Sequence, residues 1–135
     1  KYIYPSKKNK KGQHKKKVVQ DYQGARETKP MISYATSKMP NFVEKIDGEK
    51  ALKKFLTKAD EYGLPQILVF SKSAGTASMV KAVSTEFRRR ILIGEVKGTK
   101  SNENILKKYN IKELPKIIAL KENSSVVEFN KKPSY

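Results

Sequence analysis

Between Leu64 and Lys121 the sequence sets out a strict order of elements, and that order limits the folds open to the chain more than any other feature. LPQILVF (64–70) is a short apolar run rich in branched residues and predicts a buried strand. SKSAGTAS (71–78) turns into a helix on which Met79, Val80, Val83 and Phe87 recur at helical spacing. ILIGEV (91–96) predicts a second buried strand, and ENILKKY (103–109) a short helix. IKELPK (111–116) then runs into a third strand at IIAL (117–120). Pro115 stands at its mouth, where a missing backbone donor must face an edge or solvent.

Strand, helix, strand, helix and a proline before another strand resembles the thioredoxin fold, an α/β architecture with a central mixed sheet flanked by helices. In that fold the first strand of the series ends beside a two-cysteine redox motif, and a cis proline faces the motif across the sheet edge. Phe70 matches the end of that strand and Pro115 matches the cis proline. The four motif positions fall on Gly75, Thr76, Ala77 and Ser78, and none is a cysteine. The resemblance is to the protein disulfide isomerase family, and within it to domains that keep the fold without the thiol chemistry. It implies no catalytic residue and no cofactor.

The first forty residues read separately. YIY (2–4) and KVVQDYQ (17–23) predict two strands joined by a solvated connection, and residues 29–39 predict a helix. Thr28 is the expected cap, Pro30 sits in the first turn, and Met31, Ile32, Ala35 and Met39 form the apolar face. With Tyr22, Gly24 and Arg26, this segment resembles the closing hairpin and last helix of a catalytic disulfide isomerase domain. The expected division is therefore 1–40 as the end of a preceding thioredoxin-like domain and 41–135 as a redox-inactive one that lacks its last helix. NFVEKI (41–46) opens the second part as a strand, and residues 49–61 form a helix with Ala51, Leu52, Phe55, Leu56 and Ala59 inward. IIALKE (117–122) and SVVEFN (125–130) predict a terminal hairpin. One sheet face would then expose apolar side chains unless residues 29–39, the upstream hairpin or a neighbouring molecule covered it.

Composition narrows the chemistry. The chain has no cysteine and one histidine, which removes thiol chemistry and leaves no zinc set, so no metal is expected. Net charge is +17, of which +8 falls in residues 1–17. Lys7, Lys8, Lys10, Lys11, Lys15, Lys16 and Lys17 are candidate anion contacts. Against that, no aromatics interleave with these lysines as a single-strand nucleic-acid platform requires, and a solvated loop explains them as well. Residues 75–78 lack the phosphate-loop spacing, Ser78 has no marked acid/base partner, and Arg88, Arg89 and Arg90 suit the negative end of a helix. No apolar run approaches membrane-spanning length.

From the family resemblance, Ala74, Gly75, Thr76, Leu114 and Pro115 are the expected contacts for an extended polypeptide. The expected function is binding or positioning unfolded or partly folded polypeptide for catalytic domains elsewhere in a larger disulfide isomerase. Its expected partners are those clients and the other domains of the same protein, in the endoplasmic reticulum lumen. The sequence carries no targeting signal of its own, and one Asn-x-Ser sequon, at Asn123, would suit a lumenal protein. A polyanion-binding module using residues 7–17 is the alternative, with nucleic acid the less favoured partner.

Overall fold

A computed structural model describes residues 2–3, 19–121 and 125–129. The chain divides into two compact units, Lys1–Met39 and Pro40–Tyr135.

In the first unit, β1 (Tyr2–Ile3) pairs antiparallel with β2 (Val19–Gln20), followed by α1 (Thr28–Ser37). At its far end β2 stops short of the sequence expectation, since residues 21–23 leave the ladder. Glu27, and not Thr28, precedes the helix, and no side chain caps it. Nor is the expected apolar face buried: Met31 is 50% exposed and Ile32 57%. Tyr22 instead forms a local clasp, its hydroxyl donating to the Ala25 carbonyl at 2.8 Å and its ring packing 4.9 Å from Tyr34.

The second unit is a five-stranded mixed sheet in the order β3, β5, β4, β6, β7. These are β3 (Glu44–Ile46), β4 (Gln66–Ser71), β5 (Leu92–Lys97), β6 (Lys116–Leu120) and β7 (Val126–Phe129). The first three are parallel to one another, β6 runs antiparallel to β4, and β7 runs antiparallel to β6. The helices are α2 (Gly48–Tyr62), α3 (Ser78–Glu86) and α4 (Glu103–Lys108), the last entered through a 3-10 turn at Lys100–Asn102. α2 ends at Gly63, which adopts the left-handed conformation (φ 59°) that terminates helices with little steric cost in glycine. Asn102, buried, binds β5 to the start of α2: its amide donates to the Lys97 carbonyl and its oxygen accepts from the Gly48 N–H.

Period-two alternation along β4 sends Leu68 and Phe70 to one face and Val69 to the other. The first face holds the larger core, where Leu52 and Phe55 of α2 and Ile105 of α4 meet Leu68, Phe70, Val96 and Ile118. The second packs α3, through Val80, on Val43, Val69 and Ile93. Register places Phe129 opposite Ile117 and Val127 opposite Ala119 on this second face. Both remain about half exposed, at 47% and 45%.

Gly94 leaves no room for a side chain in the larger core. A Cβ there would lie 2.5 Å from Ile46 Cδ1 and near 3 Å from both Phe55 and Leu68. Gly94→Ala is therefore expected to destabilise by about 1–3 kcal/mol through overpacking. Chemical denaturation checks it, and an unchanged midpoint would show that α2 can move aside.

Candidate functional site

β4 ends where β6 begins, because Phe70 is paired with Lys116. Residues 72–77 leave β4 at this end of the sheet, and Leu114 and Pro115 enter β6 beside it. The Leu114–Pro115 peptide bond is cis, as the resemblance implied. Leu114 is half-buried against the larger core and reaches over Gly98, whose N–H donates to the Ser71 carbonyl at 3.0 Å. The structure thus brings both groups of expected polypeptide contacts to one end of the sheet, at the close of β4 and the start of β6. Ala74, Gly75 and Pro115 are exposed, whereas Thr76 and Leu114 are half-buried. Helix α3 starts at Ser78, so residues 75–77 form a loop ahead of it.

Beneath this loop lies a buried charge that the sequence reading did not single out. Glu95 belongs to β5, and its side chain is 1% exposed. Its Oε1 accepts from Lys97 Nζ at 2.7 Å and from Ser71 Oγ at 3.0 Å, while Oε2 accepts from Thr76 Oγ1 at 2.6 Å. Lys97 Nζ also donates to Ser71 Oγ at 3.0 Å and to the Gly75 carbonyl at 3.3 Å. Asn41 Nδ2 donates to Thr76 Oγ1 at 3.4 Å. Burial pushes the Glu95 carboxyl up, but hydrogen bonds from Lys97, Thr76 and Ser71, with the Lys97 charge, outweigh it and hold its pKa below the ordinary value of 4.5. The arrangement pins the loop to β5, while Ser71 ties the same two β5 side chains to β4. It takes up the Thr76 hydroxyl and the Gly75 carbonyl, leaving Ala74 and the Pro115 edge as the open part of the surface. A signal for it existed in ILIGEVK (91–97): alternation puts Ile93, Glu95 and Lys97 on one face, and an acid inside a buried strand needs a partner.

The seven lysines of residues 7–17 and the Asn123 sequon lie outside the described residues. Among the described residues, no helix is long and apolar enough to cross a membrane.

The comparisons agree with this geometry. No family model matches the sequence. A Dictyostelium discoideum protein provisionally named a protein disulfide-isomerase is 30% identical over 105 residues, covering 77% of this chain and 24% of its own length. Among solved structures, oxidised thioredoxin O1 from Arabidopsis thaliana superposes with TM-score 0.55 at 18% identity, covering 69% of this chain and 88% of that one. The thioredoxin Deadhead of Drosophila gives 0.55 at 15% identity, with 64% and 85% covered. The thioredoxin of Fasciola hepatica gives 0.53 at 19%, with the same two coverages. The chain carries a thioredoxin-like domain related to protein disulfide isomerases. It spans about a quarter of the length of the curated relative it matches. With no cysteine in the chain, it supplies no thiolate for disulfide exchange.

Proposed function

We propose that this is a non-catalytic thioredoxin-like domain that binds extended, unfolded polypeptide at the edge formed by Ala74, Gly75, Thr76, Leu114 and Pro115. Its task would be to hold clients for catalytic domains of a larger disulfide isomerase in the endoplasmic reticulum lumen. Residues 1–40 would be the end of a preceding thioredoxin-like domain. The observation that carries the reading is the pinned stretch 74–77, which has no charged side chain and lies at the same end of the sheet as Leu114 and Pro115, where the family's cysteines would stand. Glu95, Lys97 and Thr76 fix the loop before any client arrives, so less ordering entropy is lost on binding. Small side chains at Ala74 and Gly75 let a client's backbone approach, as in strand addition.

Few large anchors are present, so affinity should be weak, with a Kd of roughly 10–100 μM, about −5.5 to −7 kcal/mol. Fluorescence anisotropy with a neutral, unfolded peptide tests this. A version N-methylated at alternate residues, which removes donors on one edge, should bind at least about tenfold more weakly when that edge faces the domain. Equal binding by versions methylated on either edge would contradict a main-chain mode.

A further inference from the structure

At the opposite end of the sheet, where β4 and β5 begin, there is a cleft of about 500 Å³. Six residues of β4, at about 3.3 Å each, separate it by roughly 20 Å from the loop that follows Ser71. Its walls are of two kinds. Phe42, Leu64, Ile91 and Ile93 are apolar, and Lys58, Arg88 and Arg89 are cationic. The Arg88 guanidinium stands 4.1 Å from the centre of the Phe42 ring. Neither Arg88 nor Arg89 has a carboxylate partner among the described residues. Arg89 is held in the left-handed conformation (φ 67°) in the turn after α3.

The cleft continues into a second depression along α2, which shares Lys58 and Tyr62 with it and adds Lys50, Lys53 and Lys54. These lysines recur at helical spacing, so they line one stripe of α2, about 12 Å from Lys50 to Lys58. Tyr62, 64% exposed, stands between the two depressions. Two acids oppose this charge: Glu44 pairs with Lys58, and Glu61 lies in the second depression.

We propose that this surface binds an acidic polypeptide segment that inserts one aromatic or aliphatic side chain into the cleft. Arg88 and Arg89, without a carboxylate partner among the described residues, stand beside an apolar hollow and complement a hydrophobic anchor flanked by carboxylates. The lysine stripe matches about four residues of extended chain. A nucleic acid fits less well, because it needs successive open aromatic faces and Arg88 already covers one face of Phe42. The site is separate from the edge at Pro115 and requires a different ligand chemistry, so each can fail without the other.

The test uses the whole 135-residue chain, isotopically labelled, and the capped peptide Asp-Glu-Asp-Phe-Glu-Asp. Backbone shifts should move at residues 42, 58, 62, 64 and 88–93 and stay still at 74–76. Affinity should fall at least about tenfold between roughly 50 and 300 mM salt, and by a similar factor when every acid is replaced by its amide. Exchanging the Phe for Ser should weaken binding by about fivefold or more, the worth of a modest apolar anchor. Arg88→Ala with Arg89→Asn should weaken it about tenfold while leaving the denaturation midpoint unchanged, because both side chains are exposed and Asn tolerates positive φ. Equal binding by the amide peptide would overturn the proposal, as would shifts confined to 74–76. Equal or tighter binding by a ten-nucleotide uridine oligomer at the same residues would overturn it in favour of a general polyanion surface.

Discussion

Phe70→Ala is expected to remove about 3–5 kcal/mol of folding stability, the largest effect of any single change considered. Phe70 is fully buried in the central strand β4, between β5 and β6. Its ring packs into the larger core and lies 6.1 Å from Tyr109 at a tilted angle. Truncation loses the transfer energy of the ring and leaves a cavity that two neighbouring strands prevent from collapsing. With a urea m-value of about 1–2 kcal/mol/M, the midpoint should fall by roughly 1.5–5 M. Domains of this size are stable by only about 5–15 kcal/mol, so the variant could be largely unfolded. Phe70→Leu keeps most of the volume and provides the graded control, with a smaller loss. A loss below about 1 kcal/mol for Phe70→Ala would contradict the packing described.

Glu95→Ala is expected to cost about 3 kcal/mol, for a different reason. Removing the carboxylate leaves Lys97, only 22% exposed, without its countercharge and leaves the Ser71 and Thr76 hydroxyls without their acceptor. A fully buried pair would sit higher in the usual range, but the lysine can still reach water. The effect has a pH signature. The Glu95 pKa is depressed in the folded state, so its contribution is complete above the unfolded value near 4.5 and is lost as pH falls through the folded pKa. The stability difference between the native chain and Glu95→Gln should therefore be constant near neutrality and shrink as pH is lowered below about 4.5. A difference independent of pH down to 3 would show that Glu95 is not held as a paired carboxylate.

The fold was legible because its signals are local and repeated. Leu52, Phe55 and Ala59 recur on one face of α2, and Gly63 stops that helix with positive φ. Phe70 and Pro115, read through the family resemblance, located the edge where β4 meets β6. Strand and helix ends moved by one to three residues where the sequence holds weak punctuation, as at Ser71 and Lys97, which continue their strands beyond the apolar runs. The sequence named an apolar face for α1 but not whether that face is covered. Met31, Ile32 and Ala35 share a helical face, but periodicity states which residues could be buried together and not whether a surface exists to bury them. The candidate site was half legible. The family resemblance placed Ala74 to Thr76 near Pro115, but the tie from Thr76 to Glu95 spans nineteen residues and depends on strand register. Phe42, Leu64 and Arg88 carry no shared motif at all, and only the folded sheet brings them to one cleft.

The central claim is that the cysteine-free edge at Pro115 is a working polypeptide surface, and a single NMR titration examines it most directly. A neutral, unfolded peptide is added to the labelled chain up to about 1 mM, well above the expected Kd of roughly 10–100 μM. Shift changes should saturate and cluster at residues 74–78 and 113–116, with weaker changes at Ser71 and Lys97 beneath the loop. Changes centred on other residues, or none at that concentration, would contradict the claim and leave the domain as a spacer that keeps the fold alone.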